Sequence, residues 1–154
     1  MGGLGRAVAG IGDANGDGLG DWLIATSRMV VGGGGVGVAQ VFHGAVGNIA
    51  NTPTQTLEHP MAAESFGAAL ASAGDTNGDG FLDVVVGAPS ANNASIHLGG
   101  TTGVAASPVR LLVGSVMSAD FGGAVAHATP NKRSFERRCV RRSGARQRAS
   151  RCIG

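Results

Sequence analysis

Apolar residues in this chain come in short runs that end at turn residues, and the runs predict strands. Asp83-Val84-Val85-Val86 is β-branched and stops at Gly87-Ala88-Pro89, as expected of a strand covered on both faces and ended where proline brings no N–H to the ladder. Trp22–Ala25 takes the same place earlier in the chain. Val36–Phe42 and Ser95–Leu98 predict a third strand of each set, and Gln55–Leu57 and Arg110–Val113 a fourth. Ala7–Ala9, Ala68–Ala73 and Ala124–Ala126 consist of small residues, which suits strands lying close to their neighbours. Apolar spacing of three and four is nowhere sustained, so the expected class is all-β.

The runs belong to a repeat. Gly-Asp-Ala-Asn-Gly-Asp-Gly-Leu-Gly-Asp at 12–21 returns 62 positions later as Gly-Asp-Thr-Asn-Gly-Asp-Gly-Phe-Leu-Asp at 74–83. Val41-Phe42-His43-Gly44 then aligns with Ile96-His97-Leu98-Gly99 at an offset of 55, so an insertion lies between, where Gly32–Gly35 stand. Leu57 with Leu112 and Ser65-Phe66-Gly67 with Asp120-Phe121-Gly122 keep the offset of 55. The units run over about 4–65 and 66–120, with a third opening at 121. Four short strands per unit, in tandem and with near-identical loops, predict propeller blades and not a sandwich.

The repeated loop carries the candidate chemistry. Asp13, Asn15, Asp17 and Asp21 bear oxygen at relative positions 1, 3, 5 and 9, with glycine at 6, and the Leu19 carbonyl stands at 7. Asp75, Asn77, Asp79, the Phe81 carbonyl and Asp83 repeat the set. Calcium takes six to eight oxygen ligands, and such alternation supplies most of them. Two calcium ions are therefore expected, one per loop. An EF-hand is excluded, because its bidentate glutamate at position 12 is replaced by Ile24 and Val86, inside predicted strands.

Phe66-Gly67, the loop 75–83 and Gly87-Ala88-Pro89 together resemble an FG-GAP repeat, the blade unit of the integrin α-subunit β-propeller and its bacterial relatives. The first unit departs from that pattern, with Leu4-Gly5 for Phe-Gly and Ala25-Thr26-Ser27 for Gly-Ala-Pro, while its loop residues match. The resemblance implies an incomplete β-propeller of four-stranded FG-GAP blades over residues 1–127. It implies a calcium-binding, non-catalytic fragment serving adhesion or protein-ligand binding at the cell surface or outside the cell. The rivals are a propeller fragment of a larger secreted enzyme, such as a phospholipase-like hydrolase, and a truncated gene product without function.

Composition bounds these readings. Glycine supplies 28 of 154 residues without an every-third pattern, which excludes a collagen-like rod. No run of about 18 apolar residues occurs, so no membrane span is expected, and the N-terminus shows no secretory signal in this chain. Charge divides the molecule: residues 1–130 hold three basic side chains against nine acidic, whereas the last 24 hold nine basic against Glu136. The tail 128–154, which contains them, could be read as a nucleic-acid arm. A frame shift explains it better, because back-translating residues 135–144 and dropping one base permits Ser-Ser-Asp-Val-Val-Ser-Gly-Ala-Pro-Glu, the missing end of the third blade. No nucleic-acid partner is expected, and the tail is expected to be poorly ordered.

Other signals weigh less. Gly32, Gly34 and Gly37 fit a dinucleotide fingerprint but have no following helix, and are read as a loop insertion. His43, His59, His97 and His127 lack ligand spacing and are expected at blade surfaces or strand ends. Ser90 lacks a nucleophile elbow, and Asn93-Ala94-Ser95 is a glycosylation sequon. An open set of about two and a half blades is expected to be marginally stable alone.

Overall fold

The computed structural model describes residues 4–29, 35–61, 63–115 and 120–127. The first unit is a four-stranded antiparallel sheet of β1 (Leu4–Gly12), β2 (Asp21–Met29), β3 (Gly35–Phe42) and β6 (Gln55–Glu58), in the order β1-β2-β3-β6. A small hairpin, β4 (Gly44–Ala45) and β5 (Asn48–Ile49), stands between its last two strands. The second unit repeats the sheet with β7 (Ala69–Gly74), β8 (Asp83–Ala88), β9 (Asn93–His97) and β10 (Arg110–Val113), also in chain order. These are two blades, each a four-stranded meander, and the described residues do not close a ring.

Local chemistry accounts for the strand ends. Gly12 and Gly74, at φ of 71° and 73°, each sit at a register shift where the first strand of a unit bends into its Asp-rich loop. Strand β8 ends at Ala88 because Pro89 opens a 3-10 turn, Pro89–Ala91, closed by Asn92 in the left-handed region. The insertion between the units' offsets proves to be a longer ladder. Strands β2 and β3 pair from Trp22↔Phe42 to Met29↔Gly35, whereas β8 and β9 pair only from Val84↔His97 to Ala88↔Asn93. Gly35 and Gly37 are thus strand residues. The remaining glycines, with the rest of 30–34, lie outside the described residues, as does the tail 128–154.

Ala124–Ala126, expected as the first strand of a third unit, is not a strand. Its counterpart Ala69–Gly74 exists as a strand by pairing with β8, and among the described residues no second strand of a third unit lies beside 124–127. Without such a ladder the same small residues are not held as a strand.

The core lies between the two sheets. Cross-strand pairing puts Ala9, Leu23, Ala25, Ala39, Val41 and Leu57 on one face of the first sheet. That face meets Val84, Val86 and Ala88 of the second, with Phe66, Ala63 and Val104 filling the junction. Each such side chain contributes roughly 1.5–3 kcal/mol when fully buried. Main-chain bonds lock the sheets, from Leu82 N–H to the Asp13 carbonyl and from Gly100 N–H to that of Ala14. The Gln55 side chain adds two more, donating to the Thr102 carbonyl and accepting from Val104 N–H.

Phe66-Gly67 closes this junction. A Cβ on Gly37 would stand 2.2 Å from the Phe66 carbonyl oxygen, and one on Gly67 would stand 2.8 Å from the Ala25 Cβ. Two imidazoles flank the Phe66 ring, His59 at 5.7 Å and His97 at 6.3 Å between centroids. Phe121-Gly122 takes the corresponding place on the second sheet, where a Cβ on Gly122 would meet the Asn93 carbonyl oxygen at 2.1 Å.

Candidate functional site

The loops 13–21 and 75–83 join the first two strands of each sheet. Asp13 accepts N–H bonds from Gly16 and Asp17 on Oδ1 and from Gly18 on Oδ2, and Asp75 accepts the same three from Gly78, Asp79 and Gly80. Asn15 Oδ1 accepts from Asp17 N–H, and Asp17 Oδ1 from Leu19 N–H. Asn77 and Asp79 do likewise for Asp79 N–H and Phe81 N–H. The Asn15 and Asn77 amides donate to Asp17 Oδ2 and Asp79 Oδ2, each at 2.8 Å. Glycine is required at the sixth position, since Gly18 and Gly80 have φ of 84° and 96°.

The last carboxylate of each loop does a different job. Asp21 and Asp83 are buried, at 1 % and 0 % exposure. Asp21 accepts from Ala14 N–H within the loop and from Gly44 N–H beyond β3. Asp83 accepts from Thr76 N–H, from the Thr76 hydroxyl and from Gly99 N–H. Each thus clamps its loop to the turn after the third strand. The glycines at 44 and 99 were not singled out as site residues. Their signal was present in the aligned Phe-His-Gly and His-Leu-Gly, because a Cβ at Gly99 would stand 2.5 Å from the Leu82 carbonyl oxygen.

The two loops are neighbours at one rim. A Cβ on Gly16 would lie 2.6 Å from the Phe81 ring, and one on Gly12 would lie 2.3 Å from the Leu82 side chain. Asp17 is held below the ordinary carboxylate value, first by the Asn15 amide and then by Leu19 N–H, with a small share from His43.

The donor set is all oxygen, which suits a hard cation. Among the described residues no three His, Cys, Asp or Glu side chains are gathered as a ready metal cage. Each loop instead offers the carboxylates at positions 1 and 5, the amide at 3 and the carbonyl at 7, with the ninth-position carboxylate anchored behind them. A carboxylate presents about four lone-pair sites, so the N–H bonds leave capacity on Asp13, Asp17, Asp79 and Asp21. These residues fit calcium by donor chemistry.

The other sequence signals fall elsewhere. His59 and His97 are buried in the core and not at the blade surface, and His97 stands at the end of β9. Met61 N–H donates to His59 Nδ1, so His59 Nε2–H donates to Asn93 Oδ1. The Ala105 carbonyl can only accept, so His97 carries its proton on Nδ1 and accepts from Ser95 Oγ–H on Nε2. Burial lowers the His97 pKa; the Ala105 bond opposes that and the charge of His59 adds to it. The sequon is closed in the folded chain, because Asn93 and Ser95 are buried at 1 % and 0 % exposure. Ser90 is paired with Ser65, hydroxyl to hydroxyl at 2.7 Å. His43 Nε2 is buried without a partner.

Comparison with known proteins agrees with this architecture. Residues 66–105 match the family described as FG-GAP repeat. The chain is 35 % identical over 95 residues to human integrin alpha-IIb, a stretch that is 61 % of this chain and 9 % of that protein. It is 33 % identical over 99 residues to integrin alpha pat-2 of Caenorhabditis briggsae, covering 62 % of this chain and 8 % of the relative. The chain therefore spans about a tenth of the length of the curated relatives it matches. The match falls on the second sheet, and the first sheet repeats its four-stranded build. Among the described residues no helix is long and apolar enough to cross a membrane.

Proposed function

We propose that the chain is part of a calcium-binding, non-catalytic propeller that serves adhesion or ligand binding outside the cell or at its surface. The observation that carries the calcium reading is the agreement of the two loops, which direct the same donor types from the same positions through the same bonds. Asp13, Asn15, Asp17, the Leu19 carbonyl and Asp21 would hold one ion. Asp75, Asn77, Asp79, the Phe81 carbonyl and Asp83 would hold the other. The bound cation supplies positive charge to a loop of three carboxylates and ties β1 to β2, or β7 to β8. The likeness to integrin α-subunits supports the adhesive role and the extracellular setting, with a protein or other extracellular ligand as partner.

Isothermal titration of the chain with calcium tests the metal reading. Two sites are expected, each raising stability by about 2.7 kcal/mol when free calcium is a hundred times the dissociation constant. Chelation should lower the melting temperature. An Asp17→Ala, Asp79→Ala double variant that binds calcium as the parent does would defeat the assignment.

A further inference from the structure

The two Asp-rich loops are bonded to each other as well as within themselves, and the bonds pass through groups that the calcium reading uses. The peptide joining Phe81 to Leu82 shows this best. Its carbonyl is the seventh-position donor of the second loop, and its N–H donates to the Asp13 carbonyl of the first loop at 3.3 Å. The peptide joining Asp13 to Ala14 carries the link onward, because its N–H donates to Asp21 Oδ2 at 3.0 Å. A continuous line of peptide groups thus runs from the seventh-position carbonyl of one loop to the ninth-position carboxylate of the other.

A second line runs beside it. Gly99 N–H donates to Asp83 Oδ1 at 2.9 Å and Gly100 N–H to the Ala14 carbonyl at 3.0 Å, so neighbouring N–H groups of one turn hold both loops. Side chains reinforce the crossing. The Phe81 ring stands against Gly16 and the Leu82 side chain against Gly12, leaving no room for a Cβ at either, and Gly16 N–H is itself a donor to Asp13 Oδ1. Ala14, Asp21, Asp83 and Gly99 are buried, which keeps water from competing for the bonds they make.

We propose that the two loops fill with calcium cooperatively, with Phe81-Leu82 carrying the coupling. The inference rests on the calcium reading above and adds a regulation to it. Two effects act in the same sense. A peptide whose carbonyl is held by a positive charge is a stronger N–H donor to its next partner. A second loop already ordered also holds Asp13 and Ala14 in place, so the first loses less freedom on filling. Couplings of this kind change affinity by about fivefold or more. The pair then responds to calcium over a narrower range than two separate sites would.

Calcium titration of the full chain, followed at the amide resonances of Gly16 and Gly18 for the first loop and of Gly78 and Gly80 for the second, tests this. Asp79→Asn keeps an acceptor for Phe81 N–H but weakens the second site, and in that variant the first loop should need about fivefold more calcium for half-saturation. Asp17→Asn should shift the second loop by the same factor, because coupling is reciprocal. Charge alone acts in the opposite sense, since a filled neighbour is more positive than an empty Asp79→Asn loop. Phe81→Ala with Leu82→Ala leaves every donor of both loops in place and should remove these shifts, so that the loops titrate independently. Phe81→Ala alone should reduce them, and it stands in for the double variant if circular dichroism finds that one unfolded. Two loops that both bind calcium, with half-saturation of the first unmoved by Asp79→Asn or with shifts undiminished by Phe81→Ala, would overturn the coupling and leave the calcium reading standing. A parent whose glycine resonances do not respond to calcium would overturn both.

Discussion

Loops 13–21 and 75–83 make eight hydrogen bonds in common, down to the individual carboxylate oxygens. The sheets that carry them share no such equality of cover. Val84 and Val86 are sealed, while their counterparts Trp22 and Ile24 face outward or lie half-buried. The loops agree because their conformation is settled within nine residues, by short polar side chains bonding the backbone and by glycines free to take positive φ. Cover is decided by whatever sheet stands next door, and among the described residues the first sheet meets another sheet on one face.

The largest way to sharpen this contrast is to truncate the same motif residue in two places. Phe66→Ala empties the sealed junction between His59 and His97 and should cost about 3–5 kcal/mol. Phe121→Ala, in the same motif position but 40 % exposed, should cost under about 1 kcal/mol. Urea unfolding of both variants checks this, and equal losses would mean that 121–127 is seated as firmly as 66–72.

Next in size are the clamping carboxylates. Asp83→Ala strands Thr76 N–H and Gly99 N–H, and Asp21→Ala strands Ala14 N–H and Gly44 N–H. A buried donor without a partner costs about 1–3 kcal/mol. Both variants should be clearly destabilised without calcium, because Ala14 and Gly99 are buried, whereas Thr76 is exposed and can turn to water. A loss seen only in the presence of calcium would show that these carboxylates act through the metal alone.

What could be read from the residues follows the same division. The strand sets and the repeat of the two Asp-rich loops were legible, since each rests on a run of a few residues and its repeat. The depth of the β2–β3 hairpin was not, because the glycines of the insertion look like a loop until Phe66 is seen packed against Gly37. Ala124–Ala126 repeats the composition of a first strand but lacks the second strand that makes one. Burial of His59 and His97 was equally hidden, because their partners Asn93, Ser95 and Ala105 come from other parts of the chain.

His97 predicts a pH response of the sealed junction. Burial holds the folded His97 pKa below its ordinary value of about 6.5. The unfolded chain therefore binds the proton first as pH falls, so stability is complete above about pH 6.5 and declines below it. Urea midpoints should drop between pH 7.5 and 5.5, and His97→Gln should flatten that drop. An undiminished decline in the variant would assign the pH dependence to other groups.

The smallest expected difference asks whether the loops are equal once their surroundings are counted. Gly16 and Gly78 occupy the fourth position of each loop at φ of 80° and 81°, so alanine should cost both the same left-handed strain, about 1–2 kcal/mol. Their neighbours differ. A Cβ on Gly78 meets nothing within 4 Å, whereas one on Gly16 stands 2.6 Å from the Phe81 ring, which leans across from the second loop. Gly16→Ala must push that ring aside and should cost about 1 kcal/mol more than Gly78→Ala. Phe81→Ala should abolish the excess, since the strain is common to both loops and only the contact distinguishes them. Thermal unfolding of the two glycine variants, each in the parent and in the Phe81→Ala background, measures that coupling. Equal losses in the parent background would mean that the second loop does not rest on the first.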